Sequence, residues 1–259
     1  MSDRLTGKTV VITGGASGIG EGMARGMAAE GANVVIADLN LPAGESLAAS
    51  IVAAGGHAIA VLVDVADRAS VSRGIEVAVS TFGQLDVYFN NAGFNTPLKF
   101  LDITEDNFNA IMRVNALGVL MGSQEAAKQF IRQGTPGKIV NTASIAGRTG
   151  YASFAPYSAA KAAVISLTQA GARALAAHSI TVNGFAPGVV ATPLWTKLDA
   201  ELKEIGEGDS GFDSMAGGIL LGRAAQPDDI VPTAIFLAAS DSDYITGQVI
   251  PIEGGMILV

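Results

Sequence analysis

The feature that most constrains the fold is a repeated alternation of short apolar runs with helical stretches. Seven runs have the composition of β-strands, and they lie at residues 9–13, 33–38, 58–64, 85–90, 138–144, 180–187 and 248–254. Most are continuously apolar, which is typical of strands buried on both faces. Helical segments lie between them, the longest at about 105–133 and 156–177. This βαβ repetition predicts an α/β fold with a parallel sheet and helices on both faces.

Residues 193–223 interrupt the alternation once. The segment is first charged and then rich in glycine, and it has no strand pattern. We expect a mobile insertion at this point. No proline- or serine-rich linker divides the rest of the chain, so we predict a single domain over residues 1–259.

Composition argues against several classes of function. The formal net charge is −8 and there is no basic run, so we do not expect a nucleic-acid partner. The chain has no cysteine, and His57 and His178 lie far apart, so neither a thiol nucleophile nor a metal site is expected. We see no signal peptide and no apolar run of about 18 residues, and we therefore expect a cytoplasmic protein without a membrane span.

A glycine-rich segment, TGGASGIGEGMARGM, directly follows the first strand. Gly14, Gly18 and Gly20 lie between this strand and the next helix, where backbone N–H groups can bind a pyrophosphate that glycine allows to approach closely. The alternative is a glycine-rich turn with no ligand. Gly18, Gly22 and Gly26 also recur every four residues, which predicts close packing of that helix on the sheet.

An acid follows at the distance expected for a dinucleotide site. Asp38 ends the second strand, where a carboxylate accepts hydrogen bonds from ribose hydroxyls and repels a 2′-phosphate. Ser17 and Leu39 hold the positions where a basic residue would answer that phosphate, and neither is basic. The combination favours NAD over NADP, although a solvated carboxylate at a strand end is the alternative.

Tyr157 and Lys161 stand four residues apart in an otherwise apolar helical segment. They could be two amphipathic side chains whose apolar stems are buried and whose polar ends reach solvent. Because the spacing places both on one helix face, the ammonium could instead favour the phenolate and lower the tyrosine pKa. The phenol would then be a general acid and base.

Several motifs occur in order and together resemble the short-chain dehydrogenase/reductase family over essentially the whole chain. They are TGGASGIG (13–20), NNAG (90–93), VNALG (114–118), NTASIAG (141–147), YSAAK (157–161) and PG (187–188). The resemblance implies one Rossmann-type domain with a doubly wound, seven-stranded parallel sheet. It also implies a homotetramer built through the long helices and the last strand.

The resemblance further implies a set of four catalytic residues. Tyr157 would donate and accept the proton. Lys161 would activate the tyrosine and bind the nicotinamide ribose. Ser144 would polarise the substrate oxygen. Asn115 would hold a water that links Lys161 to solvent.

Most of the remaining implied positions belong to the nucleotide site. Together with Tyr157 and Lys161, the cofactor-binding set is Gly14, Ser17, Gly18, Ile19, Gly20, Asp38, Leu39, Asp64, Val65, Asn91, Ala92, Gly93, Pro187, Gly188, Val190 and Thr192. Within this set, Asp64 and Val65 would flank adenine, and the last four would orient the nicotinamide carboxamide.

The substrate is less constrained by the sequence. The C-terminal third looks most like the diol and polyol branch of the family, which includes acetoin reductases, 2,3-butanediol dehydrogenases and sorbitol or galactitol dehydrogenases. Ser144, Tyr157, Ile145, Asn95 and Trp195 are the candidate substrate contacts. Ile145 offers no hydrogen bond and favours a less hydroxylated substrate, whereas Asn95 is either a polar contact or a surface group. Arg148 has the same two interpretations.

The sequence therefore predicts an NAD-dependent enzyme that interconverts a secondary alcohol, either a vicinal diol or a polyol, and its ketone. Two alternatives stay open, a 3-oxoacyl thioester reductase and a nonenzymatic NAD-binding scaffold.

The chain ends on four apolar residues, 256–259, behind two glycines. Burial of such side chains is worth roughly 1.5–3 kcal/mol each, so docking should be favoured over fraying. The tail could continue the last strand on its own sheet. We predict instead that it packs at a subunit interface.

Overall fold

Seven parallel strands form the centre of the fold. In the computed structural model, which describes residues 3–258, they join one sheet in the order β3-β2-β1-β4-β5-β6-β7, and each neighbouring pair is parallel. The strands are β1 Thr9–Thr13, β2 Asn33–Asp38, β3 His57–Leu62, β4 Val87–Asn90, β5 Gly137–Thr142, β6 Ile180–Pro187 and β7 Val249–Ile252. The predicted fold class is confirmed, and the strand order reverses between β1 and β4, where such sheets bind ligands.

Nine α-helices of the described residues surround this sheet or lie at its ends. They are α1 Gly18–Ala29, α2 Leu41–Ala53, α3 Arg68–Phe82, α4 Glu105–Met112, α5 Gly118–Gln133, α6 Ala155–Leu175, α7 Pro193–Glu204, α8 Phe212–Gly217 and α9 Pro227–Ala238. None of the helices within residues 3–258 has both the length and the apolar composition needed to cross a bilayer.

The two faces of the sheet have separate hydrophobic cores. Val10 and Ile12 of β1 point toward α1, α2 and α9, while Val11 points toward α3, α5 and α6. This division follows from the strand geometry, because successive side chains of a strand point to opposite faces. Since both faces are covered, the central strands are apolar at nearly every position.

Several strands are shorter than the apolar runs predicted. The fifth run was expected to reach residue 144, but β5 ends at Thr142. Ser144 leaves the sheet because its hydroxyl accepts a hydrogen bond from the backbone of Ala146 and caps a short 3₁₀ turn, Ile145–Gly147. The predicted strand therefore ran two residues past the end of β5 and included the serine that caps the following turn.

The helix that follows β1 packs closely, but not on the element we predicted. A Cβ on Gly22 would lie 3.0 Å from Pro227 of α9, and one on Gly26 would collide with Val231 of the same helix. The prediction that the repeated glycines face the sheet is therefore wrong. Met23 and Met27 fill the space toward the sheet, and the glycines allow α9 to approach the opposite side.

The segment 193–223 contains more helix than its composition suggested. Pro193 lies in the first turn of α7, and Leu198 and Leu202 are buried four residues apart. These two leucines provide the apolar contact that holds the helix, while its charged residues remain outside. The mobility of this segment stays a prediction.

Candidate active site

A cleft with a volume of about 510 Å³ opens at the carboxyl ends of the strands, where β1 and β4 meet. The predicted cofactor positions that line it are Gly14, Ser17, Gly18, Ile19, Gly20, Asp38, Leu39, Asp64, Val65, Asn91, Ala92, Gly93, Tyr157, Lys161 and Thr192. Its size lies within the roughly 300–1,000 Å³ usual for small-molecule sites. The fold thus brings together residues that are up to 178 positions apart in sequence, from Gly14 to Thr192.

The glycine loop forms one wall of the cleft. Gly14 has a φ of +61°, and a Cβ there would lie 2.8 Å from the Cα of Ala92. A Cβ on Gly20 would collide with the Gly14 carbonyl oxygen. Without side chains at these positions, the first turn of α1 is open to the cleft, as the binding of a pyrophosphate by backbone N–H groups requires.

Asp38 is held at the edge of this cleft by two backbone hydrogen bonds. Its Oδ2 accepts from the N–H of Ala16 at 3.0 Å, and its Oδ1 accepts from the N–H of Asn40 at 2.9 Å. Leu39 beside it is 68% exposed. Among the described residues that line the cleft, Lys161 is the only one with a basic side chain. This end of the cleft therefore presents a carboxylate, and no basic side chain of the described residues that line the cleft lies there.

Asn91 joins the ends of three strands beneath the cleft. Its Nδ2 donates to the carbonyl oxygens of Thr13 at 3.0 Å and Gly14 at 3.2 Å, and its Oδ1 accepts from the Thr142 hydroxyl at 3.2 Å. The Thr13 hydroxyl in turn accepts from the N–H of Asn91 at 2.9 Å. Sequence reasoning identified Asn91 but missed the two threonines, which are ordinary strand residues by pattern.

A second, smaller cavity of about 110 Å³ adjoins the cleft. All five predicted substrate contacts line it, as do Pro187, Gly188 and Val190, which had been assigned to the nicotinamide end of the cofactor. The lining residues that sequence reasoning missed include Tyr151, Phe154, Leu198 and Met215. These belong to a 3₁₀ turn and to the 193–223 segment, and no local pattern marks them. Tyr157 and Thr192 line both cavities and so stand where the two meet.

Tyr157 and Ser144 meet in this small cavity from two different elements. Tyr157 lies in the first turn of α6, which begins at Ala155 and has Pro156 as its second residue. Ser144 caps the turn after β5, and its Oγ accepts one hydrogen bond, from the N–H of Ala146 at 3.1 Å. The Ser144 hydroxyl can still donate, and it lies close enough to Tyr157 to hydrogen-bond the phenol oxygen.

Lys161 is buried one turn further along α6. Its Nζ donates to the carbonyl oxygen of Thr142 at 2.7 Å and lies 5.6 Å from the centre of the Tyr157 ring. The prediction that i, i+4 spacing would place both side chains on one helix face agrees with this geometry.

Asn115 lies in a π-helical turn, Arg113–Leu117, between α4 and α5. Its Nδ2 donates to the carbonyl oxygens of Phe94 at 2.9 Å and Ile111 at 3.0 Å. Its Oδ1 is buried and has no partner among the described residues. This oxygen and the Lys161 Nζ both lie next to Gly93, where a Cβ would meet the first and would lie 3.7 Å from the second. One unpaired acceptor and the ammonium therefore border the same space beside Gly93.

The chain's own residues do not lower the Tyr157 pKa, contrary to our expectation. Removal from water raises the pKa of the phenol to about 12, and the nearby Ser144 hydroxyl offsets only part of this rise. Burial also lowers the pKa of Lys161 to about 8. Desolvation therefore dominates over the attraction between ammonium and phenolate, and the prediction of a lowered phenol pKa is wrong for these residues alone.

Trp195, in the first turn of α7, lies between Phe154 of the domain body and Phe212 of α8. Its ring makes edge contacts with Phe154, at 6.4 Å between centroids, and with Phe212 of α8, at 5.6 Å. The backbone of Phe212 is held by Asp199 of α7, whose Oδ1 accepts from its N–H at 2.9 Å. Trp195 thus forms part of the wall of the small cavity, and its ring contacts link α7 to Phe154 and to α8.

Arg148 does not line the small cavity. Its Nη2 donates to the backbone carbonyl of Val249 in β7 at 2.8 Å, and its side chain is exposed. The interpretation of Arg148 as a substrate contact is therefore wrong, because the turn after Ser144 directs it toward the edge of the sheet. Within residues 3–258, no group of three or more His, Asp or Glu side chains is arranged to hold a metal ion.

Comparisons with known proteins agree with this geometry. A family model described as enoyl-(acyl carrier protein) reductase matches residues 14–257. A diacetyl reductase [(S)-acetoin forming] of Staphylococcus epidermidis is 40% identical, and the match covers 96% of this chain and 98% of the relative. A sorbitol dehydrogenase of Cereibacter sphaeroides is 39% identical, with 97% and 98% covered.

A solved structure shares the fold over the full chain. It is a short-chain type dehydrogenase/reductase from Mycobacterium marinum, with a TM-score of 0.91, 32% identity, and coverage of 100% of this chain and 98% of that one. The chain belongs to the short-chain dehydrogenase/reductase family of oxidoreductases.

Proposed function

We propose that this protein is an NAD-dependent dehydrogenase that interconverts a secondary alcohol, a vicinal diol or polyol, with its ketone. The observation that carries the proposal is the position of Tyr157, with Ser144 beside it and Lys161 behind it. Tyr157 stands where a dinucleotide-sized cleft meets a small, mostly apolar cavity. A phenol and a hydroxyl that share such a cavity can bind and protonate one carbonyl oxygen.

The nicotinamide dinucleotide would supply the hydride in reduction and accept it in oxidation. In reduction, the Ser144 hydroxyl donates a hydrogen bond to the carbonyl oxygen, and Tyr157 donates its proton to that oxygen. In oxidation, the phenolate accepts the proton of the alcohol. Burial raises the pKa of Tyr157, and the positive charges of Lys161 and of a bound oxidised nicotinamide would both favour the phenolate.

Lys161 and Asn115 would replace the proton that Tyr157 transfers. The ammonium is fixed by the Thr142 carbonyl. The buried Asn115 Oδ1 can hold one water, because a polar site with two or more partners favours an ordered water. Such a water would connect the lysine with solvent.

The preference for NAD rests on the charges at the adenosine end of the cleft. Asp38 is fixed there by two backbone N–H groups, and a bound 2′-phosphate would meet this carboxylate with no basic side chain opposite. A free ribose 2′-hydroxyl can instead donate to it.

The size of the small cavity supports a short substrate. Its volume of about 110 Å³ lies below the roughly 300–1,000 Å³ usual for small-molecule sites. The two curated relatives described above are named for a four-carbon diketone and for a hexitol, so their names allow both a small diol and a polyol. Ile145, which is buried in this cavity, adds apolar rather than hydrogen-bonding surface.

A 3-oxoacyl thioester reductase is the second candidate, and the matching family model is described by a related thioester substrate, an enoyl-(acyl carrier protein). The test is a panel of acetoin, diacetyl, fructose, tagatose and an acetoacetyl thioester, each assayed with NADH and with NADPH. We expect NADH-linked reduction of one of the first four. Turnover of the thioester alone, with NADPH, would establish the second candidate instead.

The Tyr157→Phe variant tests whether the proposed geometry carries the reaction. General acid–base catalysis contributes roughly 10²–10⁴-fold, so kcat should fall by at least that factor while NADH binding, followed by nucleotide fluorescence, stays unchanged. A variant whose kcat remains close to that of the wild type would show that another group transfers the proton.

We further propose a cytoplasmic homotetramer. Leu220 and Leu221 at the end of the 193–223 segment are 71% and 75% exposed, and Leu258 of the C-terminal tail is 81% exposed. Apolar side chains grouped in this way favour burial against another subunit.

A further inference from the structure

Asn95 is a buried amide that lines the small cavity and has an unpaired oxygen. The residue is 2% exposed, and its Oδ1 has no hydrogen-bond partner among the described residues. Buried side-chain polar atoms are nearly always paired, so an unpaired one at the wall of a cavity calls for a partner inside it.

The loop that carries Asn95 is fixed on both sides. The carbonyl of Phe94 accepts from Asn115 at 2.9 Å, and the carbonyl of Thr96 accepts from Asn107 at 3.3 Å. The N–H of Leu98 donates to the Ser153 carbonyl at 3.2 Å. Because the backbone is held before and after Asn95, its amide cannot easily turn away to find a partner within the protein.

Among the described side chains that line the cavity, Asn95 is the one with a buried polar atom that lacks a hydrogen-bond partner. Ser144 and Tyr157 would bind the reacting oxygen under the proposed function, and the Thr142 hydroxyl is bonded to Asn91. Asn95 thus remains for a second polar group of the substrate. The small volume of the cavity places that group close to the reacting carbon.

We propose that Asn95 is a specificity-determining residue that accepts a hydrogen bond from a hydroxyl on the carbon next to the reacting carbon. The preferred substrates are then short α-hydroxy ketones and the corresponding vicinal diols, rather than simple ketones and alcohols of the same skeleton. This inference rests on the proposed function and names the substrate class of that site. A site with a buried polar group discriminates strongly against an analogue that leaves the group unpaired.

The test compares substrates that differ by one hydroxyl. Acetoin and 2-butanone are reduced with NADH, and 2,3-butanediol and 2-butanol are oxidised with NAD, by wild type and by Asn95→Leu, which removes the amide at similar volume. We expect wild type to prefer the two-oxygen member by roughly 10- to 100-fold in kcat/KM, and Asn95→Leu to lose most of that preference through the acetoin and butanediol values. The values for 2-butanone and 2-butanol should stay level or rise.

Two further variants separate specificity from a structural role. Asn95→Ser keeps a hydrogen-bonding group and should retain part of the preference, and it also serves if the leucine variant does not fold. Tyr151→Phe removes the phenol of another residue that lines the cavity, and it should keep the preference. The dissociation constant for NADH should match wild type in all three variants.

Four results would overturn the inference. Asn95→Leu could keep the wild-type ratio, Tyr151→Phe could lose it, wild type could show no preference between acetoin and 2-butanone, or it could reduce a ketohexose and neither four-carbon ketone. In each of these cases the enzyme still reduces a ketone, so the proposed function stands. If wild type reduces no ketone with either cofactor, the proposed function fails and the inference fails with it.

Discussion

Asp38 and Leu39 place one negative and one neutral side chain where the ribose of adenosine would bind. We predict that Asp38→Ala combined with Leu39→Arg shifts the preference from NAD(H) toward NADP(H), because the repulsion is removed and a cation is added. The measurement is kcat/KM for both cofactors. The single variant Leu39→Arg is the control and should still favour NAD(H), since the carboxylate remains. A wild type that already prefers NADPH would refute the assignment.

Lys161 carries a cost for stability that can be measured apart from activity. Burial lowers its pKa from 10.5 to about 8, which corresponds to roughly 3 kcal/mol against the charged form. Lys161→Met should therefore unfold at higher urea concentration than wild type at pH 7. The loss of the hydrogen bond to the Thr142 carbonyl reduces this gain in stability. The same variant should lose activity.

The stability of the wild type should depend on pH in a direction that follows from the lowered pKa of Lys161. Between the folded pKa of about 8 and the unfolded value of 10.5, the unfolded state binds more protons, so wild-type stability rises with pH in this window. The advantage of Lys161→Met in unfolding free energy should shrink from pH 8 to pH 10.5. An advantage that is constant over this range would mean that the pKa of Lys161 is the same in the folded and the unfolded protein.

The residue types of the site were predictable from sequence, but their electrostatics were not. Tyr157, Lys161, Ser144 and Asn115 stand in motifs whose order along the chain fixes their place in the fold. The direction of the Tyr157 pKa shift depends instead on how far water is excluded around the phenol, and this is a property of the packed structure. Asn95 could be read as surface or site until its burial was known.

At the scale of elements, α7 and α8 cover the small cavity and are joined to it through Trp195. We predict that the 193–223 segment is less protected from hydrogen exchange in the free protein and becomes protected when NAD and substrate are both present. The protection of α3 should not change, because none of its residues lines either cavity. Equal exchange of the segment in both states would argue against a lid.

The same closure has an optical readout, because Trp195 is the only tryptophan in the chain. Its edge contact with Phe212 should tighten as the segment closes, so its emission should respond to the substrate as well as to the nucleotide. Phe212→Leu is a matched variant that removes the ring contact and should reduce the response. It should also raise KM more than it lowers kcat.

The apolar runs predicted which elements exist better than where they end. β5 stops two residues early because the Ser144 side chain bonds to the backbone of the next turn. The helices within 193–223 were missed because α7 depends on two buried leucines, Leu198 and Leu202, in an otherwise charged sequence. In both places a contact between particular groups determines the structure. Composition alone predicts a longer strand in the first place and no helix in the second.

At the scale of the whole molecule, the C-terminal tail contacts its own chain. The carbonyl of Gly254 accepts from the N–H of Leu221 at 3.1 Å, and a Cβ on Gly255 would lie 2.8 Å from the Leu220 side chain. Val259, the last residue of the predicted apolar tail, lies outside the described residues. Within one subunit, the two glycines before the tail therefore pack on the end of the 193–223 segment, and the chain turns instead of continuing β7. In the tail, the N–H of Ile257 donates to Oε2 of Glu253 at 3.0 Å.

This contact does not bury the tail fully, and its role at an interface stays a prediction. Deleting residues 256–259 should weaken the tetramer or raise the substrate KM, because the exposed apolar side chain of Leu258 would be lost. Sedimentation velocity and steady-state kinetics test the two effects. Truncation of Val259 alone is the control for the change in chain length. An unchanged tetramer together with unchanged kinetics would leave the tail without this role.

The place of β1 in the middle of the sheet also matters during synthesis of the chain. Its partner β2 is complete at Asp38, but its other partner, β4, is complete only at Asn90. At about 5–20 residues per second, the ribosome needs roughly 3–10 s to make the intervening chain. For that interval one apolar edge of β1 has no neighbour and is open to pairing with other nascent chains. A chaperone would therefore protect this edge of β1 during the interval before Asn90 has been synthesised.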